Sequence, residues 1–247
     1  MSFCEHCTQG VRHEGTPEGT YETIGDIKTY VAKPTADFPK NKAVLFLTDV
    51  FGLELPNNLL LIDDFAKNGF QVYAPDLFEG DPAPAEMMVA GKPFDLMAWF
   101  PNHSPEHTGK RVRAVIAGLK EQGIDEFAAT GYCYGGRLVF DLAFDGLIKV
   151  AASSHPSLLQ LEDIDKYATT AKAPLLINAC EVDGQWPKEK QDKANEVLKN
   201  FAPGFSQPYF AGCTHGFSVR GDLNDPKVKA GKEGAFKNTV EWFIKHL

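Results

Sequence analysis

The run Ala129-Thr130-Gly131-Tyr132-Cys133-Tyr134-Gly135-Gly136 constrains this chain more than any other stretch, because its spacing is that of a strand-to-helix turn presenting a nucleophile. Such a nucleophile sits in a strained backbone conformation, so the residues two before and two after it must lack side chains. Gly131 and Gly135 meet that need, and Gly136 lets the next helix lie close to the strand. Residues 127–130 are an apolar, β-prone lead-in and 137–144 predict the helix, which makes the thiol of Cys133 the nucleophile. A bare Gly-x-Cys-x-Gly is weak evidence, since free cysteine is commonly just a small buried apolar residue.

The downstream order of candidate partners strengthens it. In a hydrolase built on this turn the acid follows a later strand and the histidine follows the last one. Residues 173–180 predict a buried strand, and the turn 181–184 after it carries Asp183. Residues 207–211 predict a short strand, and the glycine-flanked loop 212–217 carries His215. Asp183 before Gly184 is also an ordinary turn former, and His215 also reads as a loop histidine with a satisfied hydrogen bond. Of the other histidines, His155 reads as a pocket-wall residue. His103 and His107, among Pro101, Pro105 and Gly109, read as solvated loop residues, because the prolines argue against the helix that a metal would need at that spacing.

Strand and helix patterns alternate along the chain. Residues 23–33 predict a strand and 34–42 a polar turn, while 43–48 is a continuous apolar strand of the buried parallel kind. The loop Asp49-Val50-Phe51-Gly52 leads into a helix over 59–66, and 71–74 is the next strand. Apolar residues at 112, 115, 116 and 119 predict an amphipathic helix over 106–121, with further helices over 189–198 and 234–247. The alternation implies an α/β fold: a doubly wound, mostly parallel sheet with right-handed crossovers and helices on both faces. The stretch 78–105, with its several prolines, is the least regular and reads as a lid or pocket wall.

A chain of 247 residues with this pattern is expected to be a single α/β domain, with 1–20 as an N-terminal extension. A net charge of -8 leaves no basic face to displace counterions, so a nucleic-acid partner is excluded. No stretch approaches the about 20 apolar residues of a membrane span, and no basic segment followed by an apolar run opens the chain. Five cysteines, an odd number, suit a reducing compartment, and the expected location is cytoplasmic. Cys4 and Cys7 have C-x-x-C spacing, with His13 nearby, but lack a second such pair and a preceding strand; they read as structural or adventitious, and no metal site is expected.

From about Tyr21 to the C-terminus the chain resembles the dienelactone hydrolases, or carboxymethylenebutenolidases, α/β-hydrolases with cysteine in place of serine. The resemblance rests on Asp49-Val50-Phe51-Gly52, Pro75-Asp76-Leu77-Phe78, Gly131-Tyr132-Cys133-Tyr134-Gly135-Gly136, Asp183 and His215-Gly216-Phe217. It implies Cys133 as nucleophile, His215 as base and then acid, Asp183 as the group orienting the imidazole, and the backbone N–H groups of Tyr134 and Val50 as the oxyanion hole. It implies a small-molecule ester or lactone as substrate and no metal or organic cofactor, and leaves the oligomeric state open. Members of the family commonly carry Glu at the position of Asp49, where the carboxylate approaches the resting thiol; this chain is one methylene shorter there. Arg220 matches one of two arginines that hold a substrate carboxylate, shifted by one residue, and 78–105 contains no arginine to match the other. Phe51 and Phe217 are implied as substrate-binding neighbours. The alternatives are a carboxylesterase or thioesterase of the same fold, a non-catalytic relative, and an amidotransferase-like or chaperone-like protein with an elbow cysteine.

Overall fold

The computed structural model describes residues 10, 11, 13–88 and 94–247. Cys4 and Cys7 lie outside the described residues. Among those described, nine strands form the sheet: β1 (Thr20–Ile24), β2 (Ile27–Ala32), β3 (Lys42–Leu47), β4 (Val72–Pro75), β5 (Glu126–Tyr132), β6 (Val150–Ser154), β7 (Leu175–Val182), β8 (Phe205–Ser206) and β9 (Tyr209–Thr214). Their order is β1-β2-β4-β3-β5-β6-β7-β8, with β9 also on β7. β1 pairs with β2 and β2 with β4 antiparallel, and every later pairing is parallel.

Parallel central strands are covered on both faces, which is why β3 reads as an unbroken apolar run. Ala43, Val44, Leu45, Phe46 and Leu47 are all at most 1% exposed, and each of the larger side chains contributes about 1.5–3 kcal/mol by leaving water. The helices are α1 (Pro56–Lys67), α2 (Leu96–Trp99), α3 (Pro105–Glu121), α4 (Tyr134–Phe144), α5 (Leu161–Thr170), α6 (Lys188–Leu198), α7 (Phe217–Arg220) and α8 (Pro226–His246). α3, α4, α5 and α6 pack in succession as one layer, and α1, α7 and α8 as another. Among the described residues no helix is long and apolar enough to cross a membrane.

Three sequence expectations are corrected. The strand over 23–33 is a hairpin: Gly25 and Asp26 both have positive φ, 56° and 62°, which a two-residue turn matching strand twist requires. His103 and His107 are not solvated loop residues. Pro105 occupies the first turn of α3, where its missing N–H costs nothing, and Ser104 caps that helix, so His107 is helical. His103 is buried, stacked on Trp99 at 4.2 Å with Nδ1 2.8 Å from Trp99 O. Finally, α5 lies where the linear pattern predicts no helix, because only Ile164 and Tyr167 face its core; the available signal is the capping box between Gln160 and Asp163.

Part of the N-terminal extension is tied down. Val11 N–H donates to Arg220 O at 2.8 Å, and Asn57 links to both Val11 O and His13 N at 2.8 Å.

Candidate active site

The turn after β5 is shaped by lack of space. A Cβ on Gly131 would fall 2.3 Å from Gly135 O, and one on Gly135 would fall 2.1 Å from Leu47 O. Both contacts are with backbone, so strand, helix and the end of β3 close on one another only through glycine. Gly135 N–H donates to Thr48 O at 3.1 Å, which sets Tyr134, the first residue of α4, beside the Asp49-Val50 loop after β3. Cys133 has φ 50° and ψ −108°, a region costly for any side-chain-bearing residue, by about 1–3 kcal/mol. Phe46 stacks on Tyr132 at 4.8 Å and braces the turn from β3.

Asp183 follows β7 and His215 follows β9, which runs to Thr214, three residues beyond the sequence expectation. His215 N–H donates to Val182 O at 2.9 Å, so the two strand ends are locked together. His215 Nδ1 stands 2.9 Å from Asp183 Oδ1, and neither side chain is exposed. Asp183 Oδ1 also accepts from the N–H groups of Gln185 at 2.8 Å and Trp186 at 3.0 Å. Burial alone raises the Asp183 carboxyl, but the charge and hydrogen bond of His215 and the two backbone donors outweigh it and hold it below its ordinary value. Burial disfavours a charged His215, yet Asp183 and then Cys133 push it up to about 10.

Sequence reasoning missed Ser157. Its Oγ lies 3.2 Å from Cys133 Sγ and 3.4 Å from His215 Nε2. A serine after His155-Pro156 carries no signal in a linear reading, since only the tertiary fold brings the end of β6 against the elbow. His155 lines the same region: its ring packs edge-on against His215 at 5.0 Å, and its Nε2 is 2.7 Å from Ser218 Oγ. Burial first, then the charges of His215 and Arg220, hold His155 well below its ordinary value, so it is neutral.

The Asp49 carboxylate is held by Asn58 Nδ2 at 3.1 Å and by the Phe51 N–H at 3.2 Å, both on Oδ1. Its Oδ2 lies 3.8 Å from Arg220 Nη1, and its charge bears on Cys133 through space. Arg220 ends α7 and is 1% exposed; its guanidinium lies over the Phe51 ring at 5.3 Å, and a Cβ on Gly216 would come within 2.1 Å of it. Arg220 is therefore an interior cation and not a surface one. Phe217 is buried against His155 at 5.6 Å and Phe210 at 5.2 Å. Arg137 pairs with Asp141 within α4 and, at 2.7 Å, with Asp163 of α5.

Tyr134 OH bonds to Thr108 Oγ1 at 2.9 Å and donates to His103 O at 2.5 Å, while its ring meets Phe78 at 5.3 Å. The stretch before α3 is thus anchored on the residue that follows Cys133. Cys180 and Cys213 are also buried, and burial pushes the Cys213 thiol up to about 11. Among the described residues no three His, Cys, Asp or Glu side chains gather as metal ligands.

Known proteins share this architecture. The hydrolase pyvD of Aspergillus violaceofuscus is 35% identical over 242 residues, spanning 98% of this chain and 96% of that one. Dienlactone hydrolase 1 of Gibberella moniliformis is 31% identical, spanning 96% and 91%. The crystal structure of a dienelactone hydrolase from Anabaena variabilis superposes with a TM-score of 0.65 at 14% identity, covering 95% of this chain and all of that one. The sequence model of the dienelactone hydrolase family matches residues 27–247, and this chain belongs to that family.

Proposed function

We propose that this protein hydrolyses a lactone or activated carboxylic ester by two-step acyl transfer, with Cys133 as nucleophile, His215 as general base and then acid, and Asp183 as the group that fixes the imidazole. The observation that carries it is the 2.9 Å contact between Asp183 and His215 beside a cysteine held at positive φ. The thiolate attacks the carbonyl carbon, and the carbonyl oxygen takes up the charge beside the backbone N–H groups of Tyr134 and Val50. The C–O bond to the leaving group then breaks, with His215 returning the proton to the departing oxygen. Water gives a proton to His215 as its oxygen attacks the thioester, the C–S bond breaks to return the thiolate, and the carboxylic acid leaves. A thiolate suits good leaving groups such as enolates better than amines.

Asp183 keeps the Nδ1–H tautomer, so that Nε2 faces the thiol when the ring is neutral. An amidotransferase-like protein lacks an acid after a later strand, and the Asp183–His215 contact speaks against that class. Any substrate carboxylate that uses Arg220 competes for it with Asp49. A hydrolysis panel of dienelactone, p-nitrophenyl acetate and an acyl thioester, run beside Cys133→Ala, tests the proposal. Turnover of an oxygen ester that Cys133→Ala abolishes is expected. Undiminished hydrolysis by Cys133→Ala, or no acyl burst with the aryl ester in the unmodified protein, overturns it; preference for the thioester makes the protein a thioesterase.

A further inference from the structure

Ser157 stands between the two groups that the proposed reaction couples. Its Oγ is 3.2 Å from Cys133 Sγ and 3.4 Å from His215 Nε2, and the residue is 1% exposed. The turn that delivers it is strained on both sides: His155 has φ 42° and Leu158 φ 64°, a region that branched or bulky residues rarely adopt. Bonds from three directions hold that conformation. Ser157 N–H donates to Cys133 O at 2.8 Å, His155 N–H donates to Asn178 O at 3.0 Å, and His155 Nε2 meets Ser218 Oγ at 2.7 Å. Pro156 presses on the elbow helix where a Cβ on Gly136 would come within 2.6 Å of it. Strain held this firmly beside reacting atoms is the pattern of a functional segment.

A serine hydroxyl has one proton to donate and lone pairs to accept with. His215 is pushed up to about 10 and bonds directly to Cys133, so at neutral pH the pair is imidazolium and thiolate. The Ser157 hydroxyl can then donate to sulfur and accept from Nε2–H.

We propose that Ser157 is a catalytic residue: its hydroxyl donates a hydrogen bond to the Cys133 thiolate and so holds the nucleophile in its charged form. The proposal rests on the reading of Cys133 as nucleophile. The proton passes directly from sulfur to the imidazole: the S–H bond breaks as Nε2–H forms. Serine ends unchanged, sulfur carries the negative charge and the imidazolium the positive one. The hydroxyl then points at sulfur and accepts from Nε2–H, and its bond to sulfur is charge-assisted. The other ionisable groups around the pair are Asp183, His155, Asp49 and Arg220, and a change at Ser157 leaves all four in place.

The test follows alkylation of Cys133 by iodoacetamide against pH, read by mass spectrometry, in the wild type, Ser157→Ala, Ser157→Thr and Cys133→Ala. Ser157→Ala should slow alkylation at pH 7 by about tenfold and move the midpoint of the profile up by about one pH unit, the effect of losing one hydrogen bond to a charge. Ser157→Thr keeps the hydroxyl and should recover most of the rate. An unchanged profile in Ser157→Ala, even with a lowered melting temperature, overturns the hydrogen bond to the thiolate and leaves a structural serine. Hydrolysis that survives Cys133→Ala overturns instead the reading of the nucleophile, so the two failures are distinct. Should Ser157→Ala not fold, Ser157→Gly takes its place: the same slowed and shifted profile supports the hydrogen bond, and an unchanged one overturns it.

Discussion

The Asp49 carboxylate and the Arg220 guanidinium face each other at 3.8 Å, with neither side chain exposed to solvent. Burial raises the Asp49 carboxyl and the Arg220 charge opposes that rise. Removing one member of a buried pair leaves the other uncompensated, at a cost of about 3–5 kcal/mol. The 3.8 Å separation favours the low end, so Arg220→Ala should lower the urea midpoint by the equivalent of about 3 kcal/mol. Asp49→Asn combined with Arg220→Met should restore part of it. If Arg220 also anchors an anionic substrate, Arg220→Ala raises KM for a carboxylate-bearing lactone roughly tenfold to a hundredfold, while p-nitrophenyl acetate is little affected. Equal effects on both substrates would reduce Arg220 to a structural partner of Asp49.

Cys133→Ala should keep the fold and remove turnover, whereas Cys180→Ala and Cys213→Ala should retain most activity. Loss of one member of such a catalytic unit typically costs several orders of magnitude. Cys213 is poorly placed to compete for an alkylating reagent, because burial raises its thiol to about 11. Peptide mapping after limited iodoacetamide treatment should find Cys133 modified ahead of Cys180 and Cys213. Full inactivation by labelling at either of those two would refute this.

Two neighbouring carboxylates have different tasks. Asp183 Oδ1 meets His215 Nδ1 at 2.9 Å, while Glu181 is exposed and accepts from the Gly212 N–H at 2.6 Å. Asp183→Asn replaces an acceptor by an amide that favours the wrong imidazole tautomer, and a loss of about 10⁴-fold in kcat is the precedent for such a change. Glu181→Gln should lose less than about threefold, within the small effect expected at a surface position. Comparable losses in the two variants would rule out Asp183 as the orienting acid.

The buried histidines give stability opposite pH dependences. His155 titrates well below its ordinary value of 6.5 in the folded protein, so the unfolded chain binds more protons and stability falls as pH drops below about 6.5. The limit is about 1.4 kcal/mol per pH unit. His215 is raised to about 10, so its contribution is present below 6.5 and is lost as pH climbs toward 10. Asp183, held below 3.8, contributes above that value and loses its contribution only in stronger acid. Urea unfolding at pH 5, 6.5 and 8.5 should therefore peak near the middle value. His155→Gln should flatten the acid side and His215→Gln the alkaline side; an acid limb unchanged by His155→Gln would contradict the assignment.

Local pattern alone revealed the elbow, the buried parallel strand β3, helix α3 and the chain order of Cys133, Asp183 and His215. Each depends on residues close in sequence: glycines where backbone meets backbone, apolar runs where a strand is covered twice, three-and-four spacing where a helix has one buried face. The hairpin turn at Gly25-Asp26 and the first-turn proline of α3 are equally local, but in a linear pattern alternation and a cluster of prolines mask the turn chemistry. Tertiary structure alone decided the rest. Ser157 reaches the thiol because β6 lies beside β5 and a strained turn leads back over the elbow. Arg220 and Asp49 lie 171 positions apart in the chain, and no spacing rule relates them. Their pairing arises because α7 packs on α1 and the N-terminal segment at Val11 closes over both, so that a charge with no solvent to face must find its counter-charge inside.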